Sequence, residues 1–211
     1  MNDSYITVSG TSCEEILISK SRFIGYTAPC RDEASALLFL KNIRETHKTA
    51  THHCYAYIIG QNSGIMRYSD DGEPGGTAGL PIMDVLRIRS VVNCCIIVVR
   101  YFGGVLLGTG GLVRAYTQCA QASLEAAGIA RMEHTSVEYC EVPYSVWDRF
   151  RYAADHLPVR IENIQFGSSV TFMLSFRSRD REAVFIRLME ASDRKLESIP
   201  QDDLFSPWNI Q

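Results

Sequence analysis

The chain has 211 residues, a net charge of −3 and a pI near 6.0, with 46% hydrophobic and 21% charged residues. This is the composition of a globular protein long enough to bury a core, and it excludes a surface that is basic throughout and traps polyanions indiscriminately. No stretch approaches the roughly eighteen uninterrupted apolar residues of a membrane span, and the start, Met1-Asn-Asp-Ser-Tyr-Ile6, lacks the basic and apolar segments of a secretory leader. The expectation is a soluble, cytoplasmic protein with no membrane partner.

In chain order, residues 21–29 read as a strand through Phe23, Ile24 and Tyr26. Residues 32–48 read as an amphipathic helix capped by Asp32, with Ala36, Leu37, Leu40, Ile43 and Arg44 in helical spacing. A strand of aromatic and branched residues follows at 53–59, and 66–69 pairs with it across Gln61-Asn-Ser-Gly64. Residues 77–89 look helical. Residues 94–102 form a strand that is apolar on both faces and therefore central, and a long helix covers 110–127. The remainder reads as strand 136–142, helix 145–156, strands 159–165 and 170–177, helix 181–191 and a short strand near Leu204.

Fourteen of the fifteen glycines lie in residues 1–130, where eleven basic residues balance eleven acidic ones; residues 131–211 hold ten basic and thirteen acidic residues. That shift places a boundary near Gly128. The fold class expected is α+β in two domains: a β-α-β-β-α-β-α domain over 1–130 and a ferredoxin-like β-α-β-β-α domain over 131–211. The cysteines (Cys13, Cys30, Cys54, Cys94, Cys95, Cys119 and Cys140) are odd in number, contain no C-x-x-C and sit mostly among apolar neighbours. They read as reduced, buried thiols.

Nine of the glycines fall in two strings, Ser69-Asp-Asp-Gly-Glu-Pro-Gly-Gly-Thr-Ala-Gly-Leu-Pro81 and Arg100-Tyr-Phe-Gly-Gly-Val-Leu-Leu-Gly-Thr-Gly-Gly-Leu-Val-Arg114. Such density is expected where the backbone takes positive φ or approaches something closely. Asp70, Asp71 and Glu73 can cap the helix that follows, hold a divalent ion or work as acid and base, or contact a partner. Gly75, Gly76, Thr77 and Gly79 open a helix, so their N–H groups can receive a phosphate; close packing through small residues is the competing explanation. No Walker or dinucleotide fingerprint accompanies them.

In the second string, Arg100 and Arg114 can neutralise phosphates. Tyr101 or Phe102 can stack a base, and Gly103, Gly104, Gly108, Gly110 and Gly111 let a backbone approach, as on single-strand binding surfaces. The structural counterpart puts the aromatic rings in the core and pairs the arginines with Asp70, Asp71 or Glu73. His52 and Cys54 share one side of their strand, which invites a metal or nucleophile reading, but no further ligands are spaced around them. No catalytic residue set and no cofactor motif is visible.

The two strings resemble the hallmark of the IMPACT family in its bacterial YigZ- and YvyE-like group: D-D-G-E-P-x-G-T-A-G-x-P, here Asp70–Pro81, then V-V-R-Y-F/Y-G-G-x-x-L-G-x-G-G-L-V/I-R/K-A-Y, here Val98–Tyr116. The resemblance implies an N-terminal domain like the second domain of a small-subunit ribosomal protein and a C-terminal domain similar to the last domain of elongation factor G. The eukaryotic relatives look like regulators of translation that inhibit the kinase of the amino-acid starvation response by competing for its scaffold partner through additional N-terminal sequence, so the resemblance does not imply that partner for this chain. The expected function is a non-enzymatic, translation-linked regulator that binds RNA, the ribosome or a translation-associated protein through a glycine-rich groove. The alternatives are an enzyme or a small-anion or divalent-metal binder using Asp70, Asp71 and Glu73, and an interaction module that docks through the acidic C-terminal domain.

Overall fold

The computed structural model describes residues 4–208, which fall into two compact units, 4–131 and 132–208. The first holds β1 (Ser4–Val8), β2 (Ser12–Ile18), β3 (Ser21–Pro29), α1 (Glu33–Thr46), β4 (His52–Ile59), β5 (Ile65–Ser69), α2 (Gly79–Ile88), β6 (Cys94–Tyr101) and α3 (Gly108–Ala127). Its sheet has the order β2-β3-β6-β4-β5, antiparallel throughout.

Strand β6 is central and covered on both faces, which explains its unbroken apolar run. Cys94, Ile96 and Val98 pack with residues of α2 and α3 such as Ile82, Leu86, Leu112 and Tyr116. Cys95, Ile97 and Val99 pack on Ala36, Leu40 and Ile43 of α1. Asp32 caps α1 as expected, and Ser35 makes the cap reciprocal: Asp32 Oδ1 accepts from the Ser35 N–H at 2.7 Å, and the Asp32 N–H donates to Ser35 Oγ at 3.3 Å. Helix α3 lies close on β3 because Gly25 has no side chain; a Cβ there would stand 2.8 Å from the Cys119 carbonyl oxygen.

β7 (Ile129–Val142) leads into the second unit, followed by α4 (Tyr144–Asp155), β8 (Val159–Phe166), β9 (Val170–Arg177), a 3-10 turn at Ser178–Asp180, α5 (Arg181–Ala191), β10 (Glu197–Pro200) and β11 (Leu204–Pro207). β10 and β11 pair antiparallel with one side of β7, β9 pairs with the other, and β8 pairs with β9. This is the strand order of a ferredoxin-like split β-α-β sandwich. Val170, Phe172, Leu174 and Phe176 alternate along β9 into a core completed by Phe150 of α4 and Leu188 of α5. The chain is thus an α+β protein with two sheets. The sequence reading lacked β1, β2 and β10 and started β7 too late; all lie at polar or short segments where the period-2 signal is weak.

Among the described residues, no helix is long and apolar enough to cross a membrane. Six of the seven cysteines are buried, and Cys13 is exposed. Burial pushes the Cys119 and Cys140 thiols up to about 12, which suppresses the reactive thiolate. Alkylation of the native protein at pH 8 is expected to label Cys13 alone, with mass spectrometry finding the other six only after unfolding. Gly25→Ala is expected to lower stability by about 1–3 kcal/mol through overpacking against α3, read as a fall in the urea midpoint.

Candidate functional site

The first glycine string is anchored by its own acid. Asp70 Oδ1 accepts from the Ala78 N–H at 3.0 Å and the Gly79 N–H at 2.8 Å, while Oδ2 accepts from the Gly76 N–H at 2.9 Å. The cap position of α2, Ala78, has no side-chain acceptor of its own. The carboxylate of Asp70 therefore occupies the N-terminus of α2, and the Thr77 N–H bonds to the Pro74 carbonyl at 3.1 Å. Gly79 is needed for this approach, since a Cβ would meet the Ser69 carbonyl oxygen at 2.7 Å. Of the donors expected to face an incoming phosphate, those of Gly76, Thr77 and Gly79 are occupied from within the chain.

Asp71 and Glu73 diverge from Asp70. Asp71, at φ 45°, accepts from Arg44 Nη2 at 3.0 Å and from the His53 N–H at 2.7 Å. Its carbonyl oxygen lies 2.8 Å from His52 Nδ1, so that nitrogen carries the proton. Glu73 turns inward, and its Oε1 accepts from Arg100 Nη1 and from the Tyr116 hydroxyl, both at 2.7 Å. Among the described residues, no three His, Cys, Asp or Glu side chains gather as a metal site. Cys54 lies in the same network, donating to the Asp70 carbonyl at 3.0 Å, with its sulfur 3.4 Å from the Tyr116 hydroxyl. Burial pushes the Cys54 thiol and the Tyr116 phenol well above their ordinary ranges, so both stay protonated at neutral pH.

The second string splits across the sheet. Arg100 is 5% exposed, its guanidinium 5.3 Å from the Phe23 ring centroid and 5.4 Å from that of Phe102. Tyr101, next along β6, faces the other way: its hydroxyl meets His47 Nδ1 at 2.9 Å and Arg22 lies over its ring at 5.5 Å. Of the two candidate stacking rings, only Phe102 shares the side of Arg100, and it is 47% exposed. Gly103 admits the chain's own backbone, since a Cβ would fall 1.9 Å from the Lys20 carbonyl oxygen. Gly104 and Gly108 have φ of 82° and 65°. A Cβ on Gly110 would meet only the Arg114 guanidinium, at 3.7 Å, which places that exposed cation over the first turn of α3; a Cβ on Gly111 would press on Leu107 at 3.1 Å.

Like α2, helix α3 has no side-chain cap at its N-cap position and no acidic residue in its first turn, but among the described residues no carboxylate reaches its first N–H groups as Asp70 reaches those of α2. Its first N–H groups therefore lack intrahelical partners and present the positive end of the dipole. They open beside a recess of about 450 Å³ whose floor carries His52, Glu73 and Arg100 and whose walls are Pro74, Phe102, Leu106, Leu107 and Leu112, with Gly108 and Thr109 at the helix end. The sequence leaves open whether Arg100 and Arg114 face a phosphate or pair with Asp70, Asp71 or Glu73; in the fold Arg100 is paired with Glu73, and Arg114 is exposed over the first turn of α3. No local pattern in the sequence announces Leu106 and Thr109 in the lining of the recess or the bond from Tyr116 to Glu73, although the helical phase of Leu112, Tyr116 and Cys119 marks the buried face of α3.

The fold and this site define a two-unit α+β protein whose first unit matches the family model described as Impact N-terminal domain, over residues 19–124. YvyE, an IMPACT family member of Bacillus subtilis (strain 168), is 44% identical over 144 residues, covering 66% of this chain and 66% of that protein. An IMPACT family member of Haemophilus influenzae is 33% identical over 181 residues, 85% of this chain and 88% of the relative. A solved structure titled "Crystal structure of an hypothetical protein" superposes with a TM-score of 0.62 at 28% identity, covering 96% of this chain and 99% of that one. The chain belongs to the IMPACT family.

Glu73→Ala leaves Arg100 buried without its counter-ion and is expected to cost about 3–5 kcal/mol. Asp70→Ala removes a cap and is expected to cost about 0.5–2 kcal/mol. Guanidinium unfolding of both variants checks the order; a smaller loss for Glu73→Ala contradicts the central place given to the pair.

Proposed function

We propose that the protein binds RNA in the service of translation, through the recess between the two glycine strings. A phosphate rests on the free N–H groups of α3 near Arg114, and a base stacks on Phe102; the sugar lies against Leu106, which is 87% exposed. The observation that carries this reading is the contrast between the two glycine-led helices. The N-terminus of α2 is filled by Asp70, whereas among the described residues no carboxylate bonds that of α3, which adjoins an aromatic wall. Helix N-termini are ready anion sites, and exposed aromatic faces take bases with little sequence preference. The link to translation rests on the family resemblance, and the ribosome or a translation-associated protein is the alternative partner.

Filter binding of single-stranded RNA is expected to weaken with salt, and Arg114→Ala to reduce the log–log slope by about 0.7, the increment for one phosphate contact on a single strand. Phe102→Ala is expected to weaken binding by about 1–3 kcal/mol, the range for one stacked base. If low-salt buffers give no retention of RNA, this reading fails.

A further inference from the structure

Arg100 carries an unexplained donor. Its Nη1 binds Glu73 at 2.7 Å and its Nη2 lies 3.3 Å from Ser21 Oγ, but its buried Nε has no hydrogen-bond partner. Buried donors are rarely left unpaired, and the residue that carries this one lines a recess of the surface. Other donors border the same space. The uncapped first turn of α3 contributes through Gly108 and Thr109. The Thr51 hydroxyl accepts from the Phe102 N–H at 3.1 Å and keeps its own hydrogen to donate. Glu73 is the one carboxylate lining the recess, and it is matched by Arg100 and by the hydrogen bond from Tyr116. His52, with Nε2 3.8 Å from Glu73 Oε1, adds positive charge whenever its ring is protonated.

We infer that this recess seats a phosphomonoester, the terminal phosphate of a nucleotide, rather than the internal phosphate of a strand passing over it. The inference rests on the RNA-binding reading and narrows it. An internal diester offers two free oxygens and must leave the site in both directions. A monoester offers three and enters by a single attachment, which suits donors on several sides of a recess whose floor arginine is only 5% exposed. The volume of about 450 Å³ lies in the range of small-molecule sites and suits one nucleotide, with its base on Phe102. The source is either the phosphorylated end of an RNA or a free mononucleotide.

Fluorescence anisotropy on the full chain tests this with one short RNA carrying a 5′-phosphate, a 3′-phosphate or hydroxyl ends, and with AMP and UMP as competitors. A phosphorylated end is expected to bind at least about tenfold more tightly than the hydroxyl form. Thr109→Glu sets a carboxylate in the first turn of α3; it is expected to erase that preference while the melting temperature holds or rises, because the acid complements the helix dipole. Displacement of the RNA by AMP or UMP at similar affinity assigns the site to free nucleotides, and failure to displace it assigns the site to RNA ends. Equal, salt-dependent binding of all three RNAs overturns the inference and leaves the RNA-binding reading standing. Binding of mononucleotides with no RNA bound keeps the phosphate site and overturns RNA as its source, and no binding of either overturns both.

Discussion

The buried ion pair between Glu73 and Arg100 is the constraint on which the architecture of the first unit turns. It joins the first glycine string to β6, and the Tyr116 hydroxyl on the same oxygen adds α3, so three segments distant in sequence meet at one atom. Charges removed from water require this degree of mutual satisfaction, because either one alone would carry an uncompensated desolvation penalty. Phe23 and Phe102 flank the guanidinium and complete its burial. The pair also sets the electrostatics of the recess. With Arg100 matched by Glu73, its floor is close to neutral, and the positive potential beside it comes from the end of α3 and from Arg114 over the first turn of that helix.

The two glycine strings look alike in sequence but solve different problems. In the first, Gly79 lets α2 start against the backbone of Ser69, and Asp70 closes the helix end, so the string is a self-satisfied corner. In the second, Gly103 admits the Lys20 backbone, while Gly104 and Gly108 turn the chain through positive φ. Among the described residues, no carboxylate returns to the helix it opens. Glycine in both reflects close approach, but mostly of the chain to itself, and the helix start of the first string is satisfied from within the chain.

Much of the fold is legible in the sequence because local periodicity and capping carry it. The apolar run of β6 announces a strand covered on both faces, and Asp32 with Ser35 fixes the start of α1. Strands with weak alternation do not announce themselves: β2, Ser12–Ile18, offers Glu14 and Glu15 where an inward residue would be expected, because it is an edge strand. The site was legible in membership more than in arrangement. Period-2 alternation already separates Arg100 from Tyr101. Which of the three acids meets Arg100 depends on a tertiary approach across 27 residues, and no local pattern encodes that.

Unsatisfied groups show where such a fold is left open. Among the described residues, the buried side-chain atoms without hydrogen-bond partners are Arg100 Nε, Arg177 Nε and both carboxylate oxygens of Glu138. The last two residues are held electrostatically, Glu138 by Arg181 at 2.5 Å and Arg177 by Glu133 at 3.3 Å. The Nε of Arg100 has no such carboxylate, since the pairing of its side chain with Glu73 runs through Nη1. It shares its recess with an uncapped helix end and a half-exposed ring. In a unit that closes the starts of α1 and α2 with Asp32 and Asp70, an unpaired buried donor, an uncapped helix end and a half-exposed ring fall at one recess, and each of the three is a local cost in stability.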